Sequence, residues 1–464
     1  MVITRRGRAG LLALVMLASG GSGPIASPAE QAASPAFPGA SGYGAGATGW
    51  RGGDLIAVTN LDDAGPGSLR ACVEAKGPRV CIFRVAGTIP LAAPLMARSN
   101  LYIAGQTAPG KGIQLRIDGN THGPLIIKNA DNVVVRFLKL RPGPGVEETA
   151  NIDALTVENA SNLYLGNLSL MFASDETFNV HVSGGRALDI TLADSILAYS
   201  LDRANHPKGR HSKGALICSG DGKNNECGRI SLLRNVFAHH RDRNPDIKAT
   251  DGRPVEVINN IFYDPISQFG EFYDLLGDTQ IAYVGNLALT GPSTVQKVNA
   301  AVEAFDWTEG NDLTIWAHDN LARHCADGDR LAVLDAEATR LESTAPMALT
   351  VTPMPASQVL AALPPRAGDV LPGGAHRDRL DRKVLADLAE CKGQVIDRPK
   401  QAGGWTDLKP ADPPADSDGD LLPDAWEAKH RGLDPAQSDD PWRDANGDGL
   451  GTVENWLAEL AGDI

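Results

Sequence analysis

The sequence is poor in aromatic residues, which make up 5% of its 464 residues, yet it contains 50 glycines and 30 prolines. This balance favours many short strands joined by turns over a helical bundle. The absence of a Cys-x-x-Cys pair disfavours a zinc site. Beyond the N-terminus there is no apolar run long enough to span a bilayer. Basic residues are outnumbered 43 to 57 by acidic ones, so the chain does not fit a nucleic-acid-binding protein.

The acidic residues are concentrated at the C-terminal end of the chain. Residues 412–463 contain 14 acidic and three basic residues, a net charge of −11 out of a total of −14. The sequence just before this region is polar and contains several prolines, which is typical of a linker. We therefore predict a main domain over residues 34–398, a linker over residues 399–414 and a separate acidic module over residues 415–464.

The N-terminus has the features of a secretory signal peptide. Three arginines, Arg5, Arg6 and Arg8, precede a short apolar run at residues 11–17, and small residues follow. We predict a signal peptide over residues 1–30 and a secreted protein, extracellular or periplasmic, with no membrane association after cleavage. An uncleaved anchor is the alternative.

The six cysteines fit export to an oxidising compartment. Sequence alone allows 15 pairings. Proximity along the chain favours three bridges, Cys72–Cys81, Cys218–Cys227 and Cys325–Cys391.

The middle of the chain contains a loose repeat of short β-branched or leucine-rich runs. Each run ends in a small residue or asparagine, followed by an apolar residue. The marked residues are Asn167, Ser195, Asn235, Asn260, Asn286 and Asn320, spaced by 28, 40, 25, 26 and 34 residues. A period in this range indicates stacked rungs, with an asparagine able to stack at the same turn of successive rungs. We predict an all-β parallel β-helix; a propeller or sandwich would need regular hairpin turns, which are missing.

A cationic loop at residues 241–248 stands between two strand-like segments. It contains an Arg-x-Pro-x-x-Lys run from Arg243 to Lys248, and Pro245 restrains the turn. Such a loop can hold a guanidinium against an anionic substrate. Taken alone, it could equally be an arginine-rich surface loop.

Several segments together resemble a known family. They are Phe-Pro-Gly-Ala-Ser-Gly-Tyr-Gly at residues 37–44, Thr-Gly-Trp-Arg-Gly-Gly at residues 48–53, and the stretches at residues 58–70 and 103–110. In this order they resemble the pectate lyases of polysaccharide lyase family 1, over roughly residues 37–325. The resemblance implies a right-handed parallel β-helix, a calcium cofactor and cleavage of polygalacturonate by β-elimination.

The resemblance also assigns catalytic and substrate-binding residues. Arg243 matches the catalytic arginine that opens the family's Arg-x-Pro-x-x-Arg motif, and Lys248 replaces the closing arginine. Lys213 resembles a family lysine, and Lys213, Lys248 and Arg241 are expected to hold substrate carboxylates. Packing Arg243 among Arg241, Lys248 and calcium would lower its pKa, because like charges disfavour the charged form.

The calcium site implied by the resemblance departs from the family pattern. Asp153 and Asp175 match calcium carboxylates, whereas Asn151 and Asn179 are neutral residues at positions where the family has acids. Glu176 could compensate, and substrate carboxylates could complete the shell. A solvated or structural role is favoured over substrate binding for the neighbouring histidines, which are His206, His211, His239 and His240.

The acidic C-terminal module contains two runs with the spacing of calcium loops. Leu421 stands in the first run where glycine is expected. The predicted ligands are Asp416, Asp418, Asp420, Asp424 and Glu427 in the first run, and Asp444, Asn446, Asp448 and Glu454 in the second. A structural calcium role is favoured over a solvated acidic tail, and a dockerin-like attachment role is a weaker alternative.

Together these features predict a secreted, monomeric, calcium-dependent lyase that cleaves pectate to 4,5-unsaturated oligogalacturonides. Its expected partner is the acidic polysaccharide of the plant cell wall. A lyase on another uronate or on more esterified pectin is an alternative, which Asn151 and Asn179 leave open. A non-catalytic β-helix that binds acidic polysaccharide is a second alternative.

Overall fold

The computed structural model describes residues 35–117, 121–149, 151–325, 328–335, 340–341, 344–345 and 347–464. The predicted signal peptide at residues 1–30 lies outside the described residues. Within the described part, no helix has both the length and the apolar character required to cross a membrane.

Short strands dominate the described residues. The strands are β1 (Asp54–Val58), β2 (Arg79–Phe83), β3 (Gly87–Leu91), β4 (Leu95–Ala97), β5 (Leu101–Ala104), β6 (Ile113–Ile117), β7 (Leu125–Lys128), β8 (Asp131–Arg136), β9 (Leu138–Leu140), β10 (Leu155–Glu158), β11 (Ser161–Gly166), β12 (Ser169–Met171), β13 (Glu176–Ser183), β14 (Arg186–Ala193), β15 (Ile196–Ala198), β16 (Lys213–Asp221), β17 (Glu226–Leu233), β18 (Val236–Ala238), β19 (Asp246–Ile247), β20 (Val255–Ile258), β21 (Ile261–Tyr263), β22 (Gly270–Tyr273), β23 (Thr279–Val284), β24 (Leu287–Thr290), β25 (Ala300–Phe305), β26 (Leu313–His318), β27 (Leu321–His324), β28 (Ala332–Leu334) and β29 (Arg340–Leu341). The α-helices are α1 (Leu69–Val73), α2 (Ala356–Ala362), α3 (Arg379–Ala389), α4 (Asp424–Glu427) and α5 (Thr452–Ala461). Four 3-10 helices cover Tyr43–Gly46, Gly105–Thr107, Pro372–Gly374 and Pro399–Ala402.

The strands form three parallel sheets that run the length of a coil. Sheet 1 has the order β1-β2-β5-β8-β11-β14-β17-β20-β23-β26-β29. Sheet 2 runs β3-β6-β9-β12-β15-β18-β21-β24-β27, and sheet 3 runs β4-β7-β10-β13-β16-β19-β22-β25-β28. Most turns of the coil contribute one strand to each sheet, and their inward aliphatic side chains form one continuous core. The predicted parallel β-helix is confirmed.

An asparagine ladder supports one turn of the coil. The backbone N–H of Asn235 donates to Oδ1 of Asn260, Asn260 donates to Asn286 in the same way, and Asn286 donates to Asn320, at 2.8–2.9 Å. Ser195 extends this ladder because its N–H donates to Asn235. The marked residue Asn167 is one position out of register, since the N–H of Leu168, not that of Asn167, donates to Ser195.

The disulfides tie together parts of the coil and its covering segments. The predicted pairing is confirmed, with bridges Cys72–Cys81, Cys218–Cys227 and Cys325–Cys391. The first bridge joins β2 to helix α1. This helix begins after Ser68, whose hydroxyl accepts the N–H of Ala71, and its buried side chains cover the first rungs of the coil.

Two of the three outer faces are covered by other parts of the chain. Helices α2 and α3 pack on sheet 2 through a cluster that includes Val359, Leu380 and Val384. The N-terminal segment and helix α5 cover sheet 1. Trp405, from the predicted linker, packs on Phe172 and donates to the carbonyl of Arg141. In the described residues, the outer face of sheet 3 has no such apolar cover and carries polar side chains instead.

A buried histidine connects the coil to helix α3. His239 is fully buried, with its Nδ1 2.7 Å from Asp264 and its Nε2 3.5 Å from Asp387 of α3. Its ring stacks on Tyr199 and meets the edge of Tyr263. Burial opposes the charged form, but the two carboxylates outweigh burial and raise the pKa of His239.

Candidate active site on the open face of sheet 3

Successive strands of sheet 3 place the predicted site residues side by side. Strand β13 begins at Glu176, and Lys213, the first residue of β16, lies directly opposite it in the strand register. On the next strand, Asp246 pairs with Leu216 on one side and with Glu271 of β22 on the other. Parallel pairing therefore brings residues that are 25 to 37 positions apart in sequence onto one surface.

Three carboxylates form the centre of this surface. Oxygen atoms of Asp153, Asp175 and Glu176 lie within 4.8 Å of one another, and all three residues are buried. Burial and mutual repulsion raise the pKa of both Asp153 and Asp175 to about 7, and that of Glu176 to about 8. Such a concentration of hard oxygen donors suits a divalent cation such as calcium, whose charge would offset the repulsion.

The two asparagines flank this cluster without adding charge. Asn179 donates its side-chain N–H to Asp153 at 3.1 Å, while its oxygen accepts from Ser219. Asn151 contacts Thr149 and lines a groove of about 590 Å³ together with Asp153 and Asn179. In this arrangement the oxygens of the cluster come from the three acids, and Asn179 holds Asp153 in place.

Two histidines that the sequence analysis interpreted as solvated or structural lie against the cluster. His211 Nε2 is 2.8 Å from Asp175, His206 Nε2 is 3.5 Å away, and both residues are buried. His206 Nδ1 accepts the N–H of Lys208, which leaves the proton on the nitrogen that faces Asp175. Burial and nearby cations lower both pKa values, to about 4 for His206, where His211 also contributes, and to about 3 for His211.

The orientation of these rings determines what they can do. They stack with centroids 3.5 Å apart and planes 3° apart. An ion bound by both Nε2 atoms would have to lie in both ring planes, which parallel rings do not allow. As placed, the histidines are neutral and their Nε2 atoms lie against Asp175.

The arginine loop is anchored tightly beside the cluster. The N–H of Ala215 donates to the carbonyl of Arg243 at 2.7 Å, and Asn244 donates to Phe269 at 2.8 Å. A Cβ at Gly214 would lie 2.4 Å from the Arg243 carbonyl oxygen, so this close approach requires glycine. His240 is buried and hydrogen-bonds Asn244 at 2.8 Å, which fixes the loop from beneath.

Arg243 reaches from this loop to the carboxylate cluster. Its Nη1 pairs with Glu176, its Nε lies 3.7 Å from Asp246, and its backbone N–H donates to Glu271 at 3.1 Å. Burial opposes the charge, but these acids outweigh burial and raise the pKa of Arg243. The expected lowering of this pKa is therefore wrong for the protein's own groups, because acids rather than bases surround the guanidinium.

The other predicted cations are each paired with an acid. Lys213 Nζ lies 2.6 Å from Asp242, and Lys248 Nζ lies 2.5 Å from Asp246. Both ammonium groups are partly exposed on the open face. The guanidinium of Arg241 is held by Asp202 through two hydrogen bonds, of 2.6 and 2.8 Å.

An aromatic patch extends the surface past Lys248. Tyr273 of β22 and Phe305 of β25 are paired in register and stack 4.6 Å apart. Trp307 meets both rings edge-on and is 66% exposed. Lys248 Nζ lies 4.9 Å from the Tyr273 ring, so the patch is continuous with the cationic part of the site. We call Tyr273, Phe305 and Trp307 the aromatic patch.

Sequence reasoning missed Asp242, Asp246, Glu271 and the three residues of the aromatic patch, and it favoured a solvated or structural role for His206 and His211. The two aspartates stand within the arginine loop itself, and their alternation with its cations was a readable signal. Glu271 enters through strand pairing, and the histidines come from a loop of 14 residues between β15 and β16. No local sequence pattern predicts that Glu271 or these histidines lie at the site. The predicted ligands of the acidic module lie apart from this surface, beside sheet 1.

Comparisons with known proteins found similar sequences and similar folds. The chain is 33% identical over 429 residues to a protein of Aspergillus terreus named probable pectate lyase C, covering 90% of this chain and 92% of the relative. It is 31% identical over 428 residues to the protein of the same name from Emericella nidulans, covering 90% and 91%. No protein-family model matches the chain.

Solved structures support the fold. The crystal structure of Jun a 1, the major allergen from cedar pollen, superposes with a TM-score of 0.52 at 16% identity, covering 71% of this chain and 92% of the allergen. The thermostable pectate lyase PL 47 superposes with a TM-score of 0.51 at 16% identity, covering 71% and 97%.

Proposed function

Because this chain belongs to the pectate lyases, a family of polysaccharide lyases, we propose that it cleaves polygalacturonate by calcium-assisted β-elimination. The expected products are 4,5-unsaturated oligogalacturonides. Similarity to the two proteins named probable pectate lyase C supports the reaction class. The calcium cofactor, the β-elimination and the residues that carry it out are proposed for this chain.

One observation carries the proposal. The buried carboxylates of Asp153, Asp175 and Glu176 converge within 4.8 Å on an uncovered sheet face, and Arg243 pairs with one of them. A cation site beside a fixed guanidinium suits the binding of an acidic polymer, because each uronate has a carboxylate that can bind the cation. When bound, calcium would supply positive charge that stabilises the charge developing on the uronate.

The reaction breaks two bonds and forms one double bond. The C5–H bond gives up its proton, and its electron pair forms the C4=C5 double bond. The C4–O bond breaks at the same sugar, and the departing chain takes up a proton to become an alcohol. The protein has to hold a uronate carboxylate, receive the C5 proton and keep the chain in register.

Arg243 occupies the proton-transfer position in this scheme. Its guanidinium is charged while Glu176, Asp246 and Glu271 surround it, and a charged guanidinium cannot accept a proton. We propose that the pairing with Glu176 is exchanged when Glu176 joins a bound cation. Arg243 would then face the substrate among fewer negative charges.

Lys213 and Lys248 serve as substrate-binding groups in the proposal. Both ammonium groups are partly exposed beside Arg243, and each is held by a single aspartate. Uronate carboxylates can share or replace those aspartate contacts. Arg241 has a different role, because its fork is fully used by Asp202; it positions the loop that carries Arg243.

The test is ultraviolet absorbance of unsaturated products during incubation with polygalacturonate, with and without a calcium chelator. We expect absorbance to rise with calcium and to stop on chelation. Activity that survives complete chelation would remove the calcium role. Binding of polygalacturonate without any absorbance gain would instead support the non-catalytic reading.

The aromatic patch favours a second substrate, partly esterified pectin. Tyr273, Phe305 and Trp307 offer an apolar surface beside Lys248, where a neutral methyl ester would be better accommodated than a carboxylate. Pectins of graded esterification, compared at one calcium concentration, distinguish the two. A rate that falls steadily as the degree of esterification increases from zero would reject pectin as the substrate.

We also propose that the protein is secreted. Three disulfide bridges support an oxidising compartment, in line with the basic and apolar N-terminal pattern. Residues 34–398 are proposed as the lyase domain, residues 399–414 as its linker and residues 415–464 as the acidic module.

A further inference from the structure

The acidic module contains a buried carboxylate without a partner. Glu427, in helix α4, is 1% exposed, and neither of its oxygens makes a hydrogen bond within the described residues. One oxygen of Asp418, Oδ2, is likewise buried and unpartnered. Burying an ionised carboxylate without a partner costs free energy, and a bound cation would offset that cost.

Other acids face the same point. Carboxylate oxygens of Asp416, Asp418 and Asp420 lie within 4.8 Å of one another, and so do those of Asp420, Glu427 and Asp439. Asp420 belongs to both groups and joins them. A set of five carboxylates is a hard, oxygen-only donor set, which suits calcium rather than a transition metal.

The loop backbone is already folded around this point. Asp416 accepts the N–H groups of Gly419 and Leu421, and Asp420 accepts those of Leu422 and Asp439. These bonds curl the chain so that carboxylate oxygens of Asp416, Asp418 and Asp420 converge within 4.8 Å of one another. Binding would therefore require little rearrangement of the loop.

The structure changes the ligand set that the sequence indicated. Asp424 belongs to neither group of three acids, and its two oxygens accept the N–H and the hydroxyl of Ser417, both at 2.7 Å. Asp439, twelve residues beyond Glu427, stands in the cluster instead. The spacing of the first run correctly grouped Asp416, Asp418 and Asp420, whereas Asp439 comes from outside that run.

The second run does not form a comparable site. Glu454 pairs with Arg51 at 2.6 Å and accepts the N–H of Gly451, so its oxygens have partners, unlike those of Glu427. Asp444 accepts three backbone N–H groups, much as Asp416 accepts two, but it is exposed. Within the described chain, neither acid joins a group of three potential ligand side chains.

We propose that Asp416, Asp418, Asp420, Glu427 and Asp439 bind one calcium ion that fastens the acidic module to the outer face of sheet 1. Leu422 lies inside the loop, between ligands, and its fully buried side chain belongs to the apolar cluster that covers sheet 1. Closing the loop around an ion therefore fixes Leu422 in that cluster. Arg84, just after β2, donates to the carbonyl of Pro414 at 2.7 Å and adds a second attachment.

The test uses the full chain, stripped of metal and then given calcium alone. The diagnostic variant is Glu427→Gln, which removes the charge at almost constant shape. The matched control is Asp424→Asn, an acid of the same loop that lies outside the cluster. Bound calcium per chain is counted by equilibrium dialysis, and thermal unfolding is followed with and without calcium.

Wild type and Asp424→Asn should unfold at a higher temperature in calcium. Glu427→Gln should bind one calcium ion fewer per chain and lose most of that rise, while keeping lyase activity at saturating calcium. In chelator it should be at least as stable as wild type, because its buried group is neutral. Unchanged stoichiometry in Glu427→Gln, or an equal loss in Asp424→Asn, would overturn the proposal.

Limited trypsin digestion tests the fastening role. From residue 412 onward the basic residues are Lys429, Arg431 and Arg443, so a cut there releases a short acidic fragment. Calcium should protect these sites in wild type and leave them open in Glu427→Gln. Equal protection in both proteins would reject the fastening role. Repeating the dialysis with Asp175→Asn separates this site from the proposed catalytic one, because the calcium bound by the module must persist there.

Discussion

Replacing Arg243 with alanine should abolish most of the lyase activity without unfolding the protein. The guanidinium stands at the proposed proton-transfer point, and a positioned acid or base contributes about 10²- to 10⁴-fold in rate. We therefore expect kcat to fall by about that factor, or about 3–5 kcal/mol of activation free energy. The assay is the initial rate of ultraviolet absorbance gain at saturating polygalacturonate and calcium.

The expected effect on stability is much smaller. Stranding a buried ion usually costs about 3–5 kcal/mol when its partner is removed. Burial and Asp175 already raise the pKa of Glu176 to about 8 although Arg243 lowers it, so without Arg243 the pKa rises further and Glu176 is the neutral acid at neutral pH. The remaining cost is the lost contacts of a partly exposed arginine, about 1 kcal/mol. Thermal unfolding at neutral pH measures it.

Two further variants make the result specific. Arg253→Ala removes an arginine that pairs with Glu226 on sheet 1, and it should leave kcat unchanged. Arg243→Lys keeps a positive charge but loses the fork that meets Glu176, so its rate should fall between those of wild type and alanine. A kcat for Arg243→Ala within threefold of wild type would refute the placement of Arg243 at the reacting atoms.

Three other changes test separate parts of the structure. Trp307→Ala should raise KM for the polymer about 2- to 10-fold, as expected for a lost aromatic contact, and leave KM for a short oligomer unchanged. A polymer KM equal to that of wild type would show that the aromatic patch does not contact the substrate. Asn179→Asp adds a carboxylate beside Asp153 and should lower the calcium concentration for half-maximal activity, measured by calcium titration, whereas a rise would show that Asn179 positions Asp153 instead. His239→Gln should lower the unfolding temperature most at pH 6 and below, because the raised pKa of His239 stabilises the folded state while the ring is protonated and that contribution is lost as the pH rises through the folded pKa. A difference from wild type that stays constant between pH 6 and pH 10 would contradict the charged state.

The fold could be predicted because a coil repeats its requirements. Each rung needs inward aliphatic residues and a turn whose backbone groups are satisfied, so the asparagines from Asn235 to Asn320 mark equivalent positions. The error at Asn167 has the same cause. There the ladder position is Leu168, an apolar residue, and a pattern search for asparagine selects its neighbour. Register by one residue is decided by strand pairing, which the sequence expresses only weakly.

The site was predictable in its cations and less so in its acids. Arg243, Lys213 and Asp153 could be assigned from motifs because their local sequence is distinctive. Glu271 shapes the charge of Arg243 only because β19 and β22 are neighbouring strands. Its place depends on the length of the intervening rung. The Arg243 pKa is raised mainly by Glu176, then by Asp246 and Asp242, with Glu271 adding least.

If the polymer binds as proposed, the uncovered face of sheet 3 sets the spacing of its contacts. Neighbouring strands are about 4.8 Å apart, so each rung contributes one fixed increment of contact surface along the cleft. Gain or loss of a whole rung beyond β22 would lengthen or shorten the binding track while leaving Arg243 and the carboxylate cluster where they are. A single-residue insertion within a strand of the same face would turn every following side chain to the opposite side. Evolution of chain-length preference in this architecture is therefore expected to proceed in rung-sized steps.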